Sequence, residues 1–257
     1  MLRVVNLTKV YDTGTRALED VSFEVQDGEF MAVIGLSGSG KSTLLRCINR
    51  LVEPTSGEVW LGDLNITAAR RSDLRDIRRQ IGMVFQQFNL VKRSSVMTNV
   101  LSGRLGYTSP WSSLVNRFSR EDRALAMQAL ERVGIADKGR DRADELSGGQ
   151  QQRVGVARAL MQSPKMILAD EPVASLDPVL AHSILGYLEQ LNKQDGITVL
   201  CSLHYLDLVQ RYATQVIGLR DGRVVFRGDN AAIRALDDRR FKEIYGEEAT
   251  RLGAVTG

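Results

Sequence analysis

Three short runs hold residues whose types and spacing suit phosphate chemistry. Gly35-Leu36-Ser37-Gly38-Ser39-Gly40-Lys41-Ser42 fits GxxxxGK[ST] and leads into Thr43-Leu44-Leu45, the start of an amphipathic helical pattern. In such a loop the glycines let the backbone curl, so that successive N–H groups and the positive end of the following helix face a phosphate. Lys41 then reaches the β- and γ-phosphates and Ser42 ligates magnesium. Further on, the apolar run Met166-Ile167-Leu168-Ala169 ends in two adjacent acids, Asp170 and Glu171. A strand-end turn could also hold such a pair. Beside a phosphate-binding loop, alternation along the strand would aim Asp170 at the magnesium and Glu171 at an attacking water. The third run, Leu146-Ser147-Gly148-Gly149-Gln150-Gln151-Gln152-Arg153, has a capping serine and two glycines that again bare N–H groups at a helix start. It reads as a simple capped helix or as a second phosphate-binding helix end.

The third run, about twenty residues before the acid pair, resembles the signature motif of ABC ATPases. Other positions fit the same resemblance: Gln86 after Ile81 to Phe85 as the Q-loop glutamine, Ser175-Leu176-Asp177 as the D-loop, and His204 after Ile197 to Cys201 as the switch histidine. Tyr11, in Val10-Tyr11-Asp12, stands where that family stacks an aromatic ring on adenine, a role that suits an amphipathic ring. The resemblance implies ATP and Mg2+ as cofactors. It implies Glu171 as the base, with His204, Gln86 and Lys41 completing the catalytic set, and Ser42, Gln86 and Asp170 around the metal. Nucleotide would be held by Tyr11, Gly35, Ser37, Gly38, Ser39, Gly40, Lys41, Ser42 and Thr43 of one chain. Ser147, Gly148 and Gly149 would come from a second chain packed head to tail, and Gln150 and Asp177 are also expected to bind the nucleotide. The segments Gly82 to Val91, Asn99 to Gly106 and Ala169 to Asp177, together with the stretch around Trp111, look like the ATPases of phosphonate importers. Two departures stand out: Ser202-Leu203-His204-Tyr205 differs from the Thr-His-Asp run common at the switch histidine, and Val173 replaces a threonine.

The elements that must position these residues can be read from the pattern. Phe30 to Ile34 is a continuous apolar run ending in glycine, and Ile81 to Phe85, Met166 to Ala169 and Ile197 to Cys201 are similar runs separated by helical patterns. That sequence of elements predicts a parallel sheet covered by helices. Alternating runs at Arg3 to Asn6, Val21 to Val25 and Glu58 to Leu61 predict additional antiparallel sheet. Between Gln87 and Ser163 the strand signal fades, and Leu125, Met127, Leu130 and Val133 fall at near-helical spacing. Asp221-Gly222 between two apolar runs predicts a hairpin. The expected fold is α/β: a P-loop NTPase core of the ABC ATPase kind, with an antiparallel β subdomain and an inserted α-helical subdomain. The single domain comprises a core at 1–87 and 163–236, a helical subdomain at about 88–162 and a tail at about 237–257.

The chain has 257 residues, 43% of them hydrophobic, and a formal net charge of +3, too small to argue for nucleic acid. No apolar run approaches the roughly 20 residues that cross a bilayer. The start at Met1 lacks a secretory pattern. For a chain with no span of its own, the resemblance to importer ATPases implies a place at the cytoplasmic face of the inner membrane, working as a homodimer beneath a separate permease, with an extracytoplasmic solute-binding protein choosing the solute. Cys47 and Cys201, the only cysteines, read as reduced core residues, His182 as a core residue with no part in the chemistry, and the group Arg70, Arg71, Arg75, Arg78 and Arg79 as a solvated helix face. An importer ATPase for another polar solute would share every nucleotide motif. A soluble ABC-type ATPase acting on DNA would need a long coiled coil between Lys41 and Leu146, and one acting on ribosomes usually carries a second cassette. The chain has neither sustained heptads nor internal duplication.

Overall fold

The computed structural model describes residues 1–107, 118–235 and 238–246 and contains two sheets, with two cores, one of which lies between them. The stretch around Trp111 and most of the expected tail lie outside the described residues. The first sheet has the order β2-β1-β4-β5, built from β1 (Leu2–Val10), β2 (Arg16–Val25), β4 (Ser56–Leu61) and β5 (Leu64–Asn65), with every pairing antiparallel. Leu2, Val4 and Leu7 of β1 are buried. The break in strict alternation falls at Asn6, which adopts φ 49° while its N–H donates to Ser22 Oγ at 2.7 Å, and the pairing register shifts there.

The second sheet has the order β10-β9-β3-β8-β7-β6 and contains β3 (Phe30–Ile34), β6 (Ile81–Val84), β7 (Met166–Ala169), β8 (Thr198–Ser202), β9 (Gln215–Arg220) and β10 (Arg223–Asp229). Pairings among β6, β7, β8, β3 and β9 are parallel. The β9–β10 hairpin turns through Asp221 and Gly222, both at positive φ, as its Asp-Gly pair predicts. The parallel strands β3, β8 and β7 and the edge strand β6 are buried along their whole lengths, and their residues divide between two cores by alternation. Phe30, Ala32, Ile34, Val84, Ile167, Ala169, Val199 and Cys201 face one side; Met31, Val33, Met83, Met166, Leu168 and Leu200 face the other. The second side is covered by the antiparallel sheet and by α1 (Lys41–Ile48), through Leu44, Leu45 and Ile48. Cys47 and Cys201 are free and buried, and burial pushes the Cys47 thiol up to about 12.

Helices cover the other side. After α2 (Leu74–Arg79) and β6 come α3 (Val96–Leu101), α4 (Arg120–Arg132) and α5 (Gly148–Leu160), which pack on one another. Ser95 and Ser119 cap α3 and α4 by accepting the N–H of Thr98 and Asp122. On α4 the buried face is Ala126, Ala129 and Leu130, continued by Val133, whereas Leu125 and Met127 are exposed. The larger residues at 125 and 127 therefore lie off the stripe expected of them, because the i, i+3, i+4, i+7 register starts at a small alanine. Helices α6 (Pro178–Asp195), α7 (Leu206–Tyr212), α8 (Asn230–Arg234) and α9 (Asp238–Tyr245) follow among the described residues.

The arginine group at 70–79 is not simply a solvated face. Arg75 donates to the carbonyls of Leu105 and Gly106, and Arg79 also reaches Gly106 and lies over the Tyr107 ring at 4.5 Å. Arg78 donates to the carbonyls of Asn49 and Arg50. Short carbonyl-ended turns at residues 49–50 and 105–106 present acceptors that water would otherwise satisfy, and the guanidinium forks take them.

Candidate functional site

The loops that leave β3, β6, β7 and β8 at their carboxyl ends gather on one edge of the sheet, where open parallel sheets bind ligands. The loop after β3 curls because two of its glycines adopt conformations closed to other residues. Gly35 has φ 142° and a Cβ there would run into the Leu219 carbonyl; Gly40 has φ 106° and a Cβ would lie 2.5 Å from the Ala17 carbonyl. Gly40 is also the N-cap of α1, so the helix starts with backbone N–H groups bare of any side-chain cap. Ser37 and Gly38 are exposed, and Ser39 is buried with its Oγ unpartnered.

Lys41, the first residue of α1, is 3% exposed. Its ammonium donates to the carbonyls of Gly35 and Leu36 at 2.8 and 2.9 Å and lies 3.8 Å from Glu171. Burial draws the ammonium below the usual lysine range, opposed by the charges of Glu171 and Asp170. The two carbonyls are neutral acceptors that phosphate oxygens can replace, bond for bond and with added charge. Ser42 donates to Asp170 Oδ1 at 2.7 Å, so the loop hydroxyl and the buried carboxylate form one oxygen-rich pair. Thr43 lies 3.3 Å from the Tyr11 hydroxyl, which brings the ring to the first turn of α1 with the Lys9 ammonium 5.1 Å from its centroid.

The two acids diverge by a different device from the strand alternation expected of them. β7 ends at Ala169, and Glu171 adopts the left-handed conformation at φ 48°. That turn, rather than the pleat, sends Glu171 away from Asp170 and toward Lys41 and His204. His204 Nε2 is 2.7 Å from Glu171 Oε1, and this bond holds the Glu171 carboxyl below the usual glutamate range against the opposing effect of burial.

Two further residues complete the cluster. Ser202, fully buried at the end of β8, accepts the Glu171 N–H at 2.8 Å and lies 3.5 Å from Asp170 Oδ1. Arg46 lies 3.3 Å from Asp170 Oδ2. Sequence reasoning overlooked both, although signals existed. Arg46 is four residues after Ser42, hence on the same helix face, and a lone hydroxyl at the end of a buried strand calls for a polar partner.

The other expected site residues are placed apart from this cluster. Ser147, Gly148 and Gln150 lie at the start of α5, where Ser147 and Gln150 form a reciprocal capping box; Gly149 is packed against Leu180. Asp177 caps α6 by accepting the Leu180 N–H at 3.0 Å. Gln86 is exposed after β6 and lines a cavity of ≈ 580 Å³ with Asn89, Lys92, Gln151 and Ser175.

The family model described as ABC transporter matches residues 18–174, a span that holds the phosphate-binding loop, Gln86, the Ser147 turn and both acids. The chain belongs to the ABC transporter family. Its cassette resembles the phosphonates import ATP-binding protein PhnC 3 of Halalkalibacterium halodurans, with 50% identity over 257 residues that cover 100% of this chain and 98% of that protein. The phosphonates import ATP-binding protein PhnC of Bdellovibrio bacteriovorus is 52% identical over 250 residues, covering 97% and 95% of the two chains. Among solved structures, the dimeric bacterial ABC transporter cassette MJ0796 superposes with a TM-score of 0.80 at 36% identity, over 90% of this chain and 99% of that one. The same cassette has been solved as a dimeric post-hydrolysis state bound to ADP and Pi. As in ABC cassettes generally, this chain is an α/β ATPase that binds and hydrolyses ATP, acts as a dimer and serves a membrane permease.

Proposed function

We propose that this chain powers the import of phosphonates, or of a close analogue such as phosphite, with Glu171 as the base that activates water. The observation that carries the catalytic part is the joined cluster of Lys41, Ser42, Asp170, Glu171 and His204. Likeness to phosphonate-import ATPases over nearly the whole chain supports the substrate class.

Water attacks the γ-phosphorus in line, a new P–O bond forms, the bond to the β-phosphate oxygen breaks, and Glu171 takes the proton that water sheds. Lys41 exchanges its loop carbonyls for phosphate oxygens. His204 turns from Glu171 to the γ-phosphate, which also restores the basicity that its hydrogen bond withholds from Glu171. Ser42, Asp170 and Gln86 offer hard oxygen donors of the kind that magnesium takes, with Ser42 and Asp170 already within 2.7 Å of each other. Bound there, the ion would offset charge on the β- and γ-phosphate oxygens. Tyr11 stacks on adenine. Ser147, Gly148, Gly149, Gln150 and Asp177 complete the site on the second copy, the first four carried by a helical subdomain of about 88–162 and Asp177 by the core.

Among the described residues no helix is long and apolar enough to cross a membrane; on the importer reading, the pore belongs to partner subunits. We place the dimer at the cytoplasmic face of the inner membrane, with a solute-binding protein delivering the phosphonate from outside. A strain lacking this chain should fail to grow on a phosphonate as sole phosphorus source and recover on inorganic phosphate. Undiminished uptake of every phosphonate and of phosphite in that strain would refute the substrate class while leaving the ATPase intact.

A further inference from the structure

Just after Gln86 the chain takes a path that its side chains resist. Phe88 and Asn89 both lie in the left-handed region, at φ 26° and 50°. Two such residues in succession turn their carbonyls to the same side, and Arg158 of α5 meets them. Its Nη1 donates to the Asn89 carbonyl at 2.5 Å and its Nη2 to the Phe88 carbonyl at 2.9 Å. A guanidinium offers two parallel N–H groups in a rigid plane, which matches a pair of adjacent acceptors; an ammonium has no such fork. The guanidinium also lies 6.0 Å from the Phe85 ring centroid, so one side chain touches residues on both sides of Gln86.

Burial lowers the guanidinium below the usual arginine value. That desolvation opposes its burial, and the carbonyl contacts offset it. The helix supplies a second tie, Gln152 Nε2 to the Phe85 carbonyl at 3.5 Å. The same helix begins at the Ser147–Gly149 turn, and its Gln151 shares a cavity wall with Gln86.

We propose that Arg158 is a positioning residue for Gln86: its fork holds the kinked 88–89 backbone so that the placement of Gln86 follows that of the signature helix α5. This rests on the reading of Gln86 as a ligand of magnesium and the attacking water. Displacing α5, as closure of the dimer would, then moves Gln86 with it.

The test uses the full chain carrying Arg158→Lys, which keeps charge and stem but loses the fork, and Arg158→Met, which loses both. In each, kcat for MgATP should fall about tenfold or more with KM within twofold of wild type. In a Gln86→Ala background the same substitutions should cost less than twofold further, because the residue they position is gone. Amide hydrogen exchange gives a readout apart from turnover: in Arg158→Lys the backbone at 87–90 should exchange at least tenfold faster, while β6 and α5 stay protected. Multiplied losses in the Gln86→Ala background, or unchanged exchange at 87–90, would overturn the proposal. Wild-type kcat in Gln86→Ala alone would instead sink the reading of Gln86. Should Arg158→Met fail to fold, Arg158→Lys carries both measurements.

Discussion

Ser202→Ala isolates one atom on which both acids depend. The Ser202 hydroxyl accepts the Glu171 N–H in a fully buried position, and Glu171 needs that bond because its φ of 48° costs a residue with a Cβ about 1–2 kcal/mol. Alanine removes the acceptor and admits no larger group in its place. The N–H is then left unpaired at a cost of about 1–3 kcal/mol. For a chain of this size each kcal/mol moves Tm by roughly 2–4 °C, so a mid-range loss of about 2 kcal/mol corresponds to about 4–8 °C. Activity should fall further than stability implies, because relaxing the left-handed turn swings Glu171 away from Lys41 and His204. Misplacement that costs about 1.4 kcal/mol in the transition state lowers kcat tenfold. KM for ATP should hold, since the β3 loop that cradles phosphate does not touch Ser202. Thermal unfolding and steady-state MgATP hydrolysis measure the two effects. Ser202→Cys, which fills the space with a weak acceptor, should fall between alanine and wild type. Wild-type Tm and kcat in Ser202→Ala would refute the reasoning, and a lower Tm with full kcat would confine the hydroxyl to a structural role.

Glu171→Gln keeps the side chain's shape but not its basicity, so ATP binding should persist while turnover falls about 10²–10⁴-fold, and gel filtration with ATP should show a lasting dimer; near-normal hydrolysis would show that another group takes the proton. Lys41→Ala and Ser147→Arg homodimers should each be nearly inactive, yet mixing them should restore up to about half the wild-type activity per mixed dimer, because one site then combines an intact loop with an intact signature turn. Confirmed mixed dimers without recovery, alongside activity in wild-type/Lys41→Ala dimers, would sink the head-to-tail arrangement. Gly103→Ala would drive a Cβ into the Arg158 carbonyl, and the required shift of α5 should lower stability by about 1–3 kcal/mol; an unchanged Tm would show that the contact yields freely.

Much of the architecture was legible because its signals are local. The runs at 30–34, 81–84, 166–169 and 198–202 carry apolar residues on both faces, which only a strand between two layers requires, and glycine, lysine and serine at fixed offsets after the first run leave few alternatives to a phosphate loop. What escaped depended on contacts between distant segments. The burial of Ala126 and Ala129 in place of Leu125 and Met127 is set by how closely α4 approaches α3 and α5, which hydrophobicity alone does not encode. The arginines at 75, 78 and 79 looked like surface charge because their acceptors are backbone carbonyls, which every residue has and no side-chain pattern reveals. The separation of Asp170 from Glu171 went the same way: the left-handed turn at Glu171 is sustained by a hydroxyl 31 positions away.

The two helix ends proposed to bind phosphate differ in how their polar groups are satisfied, and that difference bears on assembly. At α1 no side chain caps the helix, Lys41 is buried within the loop, and Ser42 is engaged with Asp170, so the first end is complete as one face of a site. At α5 the cap is closed by Ser147 and Gln150 on each other, and Ser147 and Gly148 are exposed. Among the described residues no acid or lysine is bonded to this second end, and Ser147 and Gly148 stay open to solvent. A triphosphate needs donors on several sides, which one exposed helix end does not supply. On the proposed head-to-tail arrangement, facing copies would solve this for both ends at once: each would lend its exposed end at α5 to the other's loop at α1, and two such exchanges would close a two-fold dimer without leaving an unmatched face. On this arrangement α5 is the element that senses closure, because its N-terminal end meets the partner's nucleotide while Arg158, near its other end, grips the chain beside Gln86.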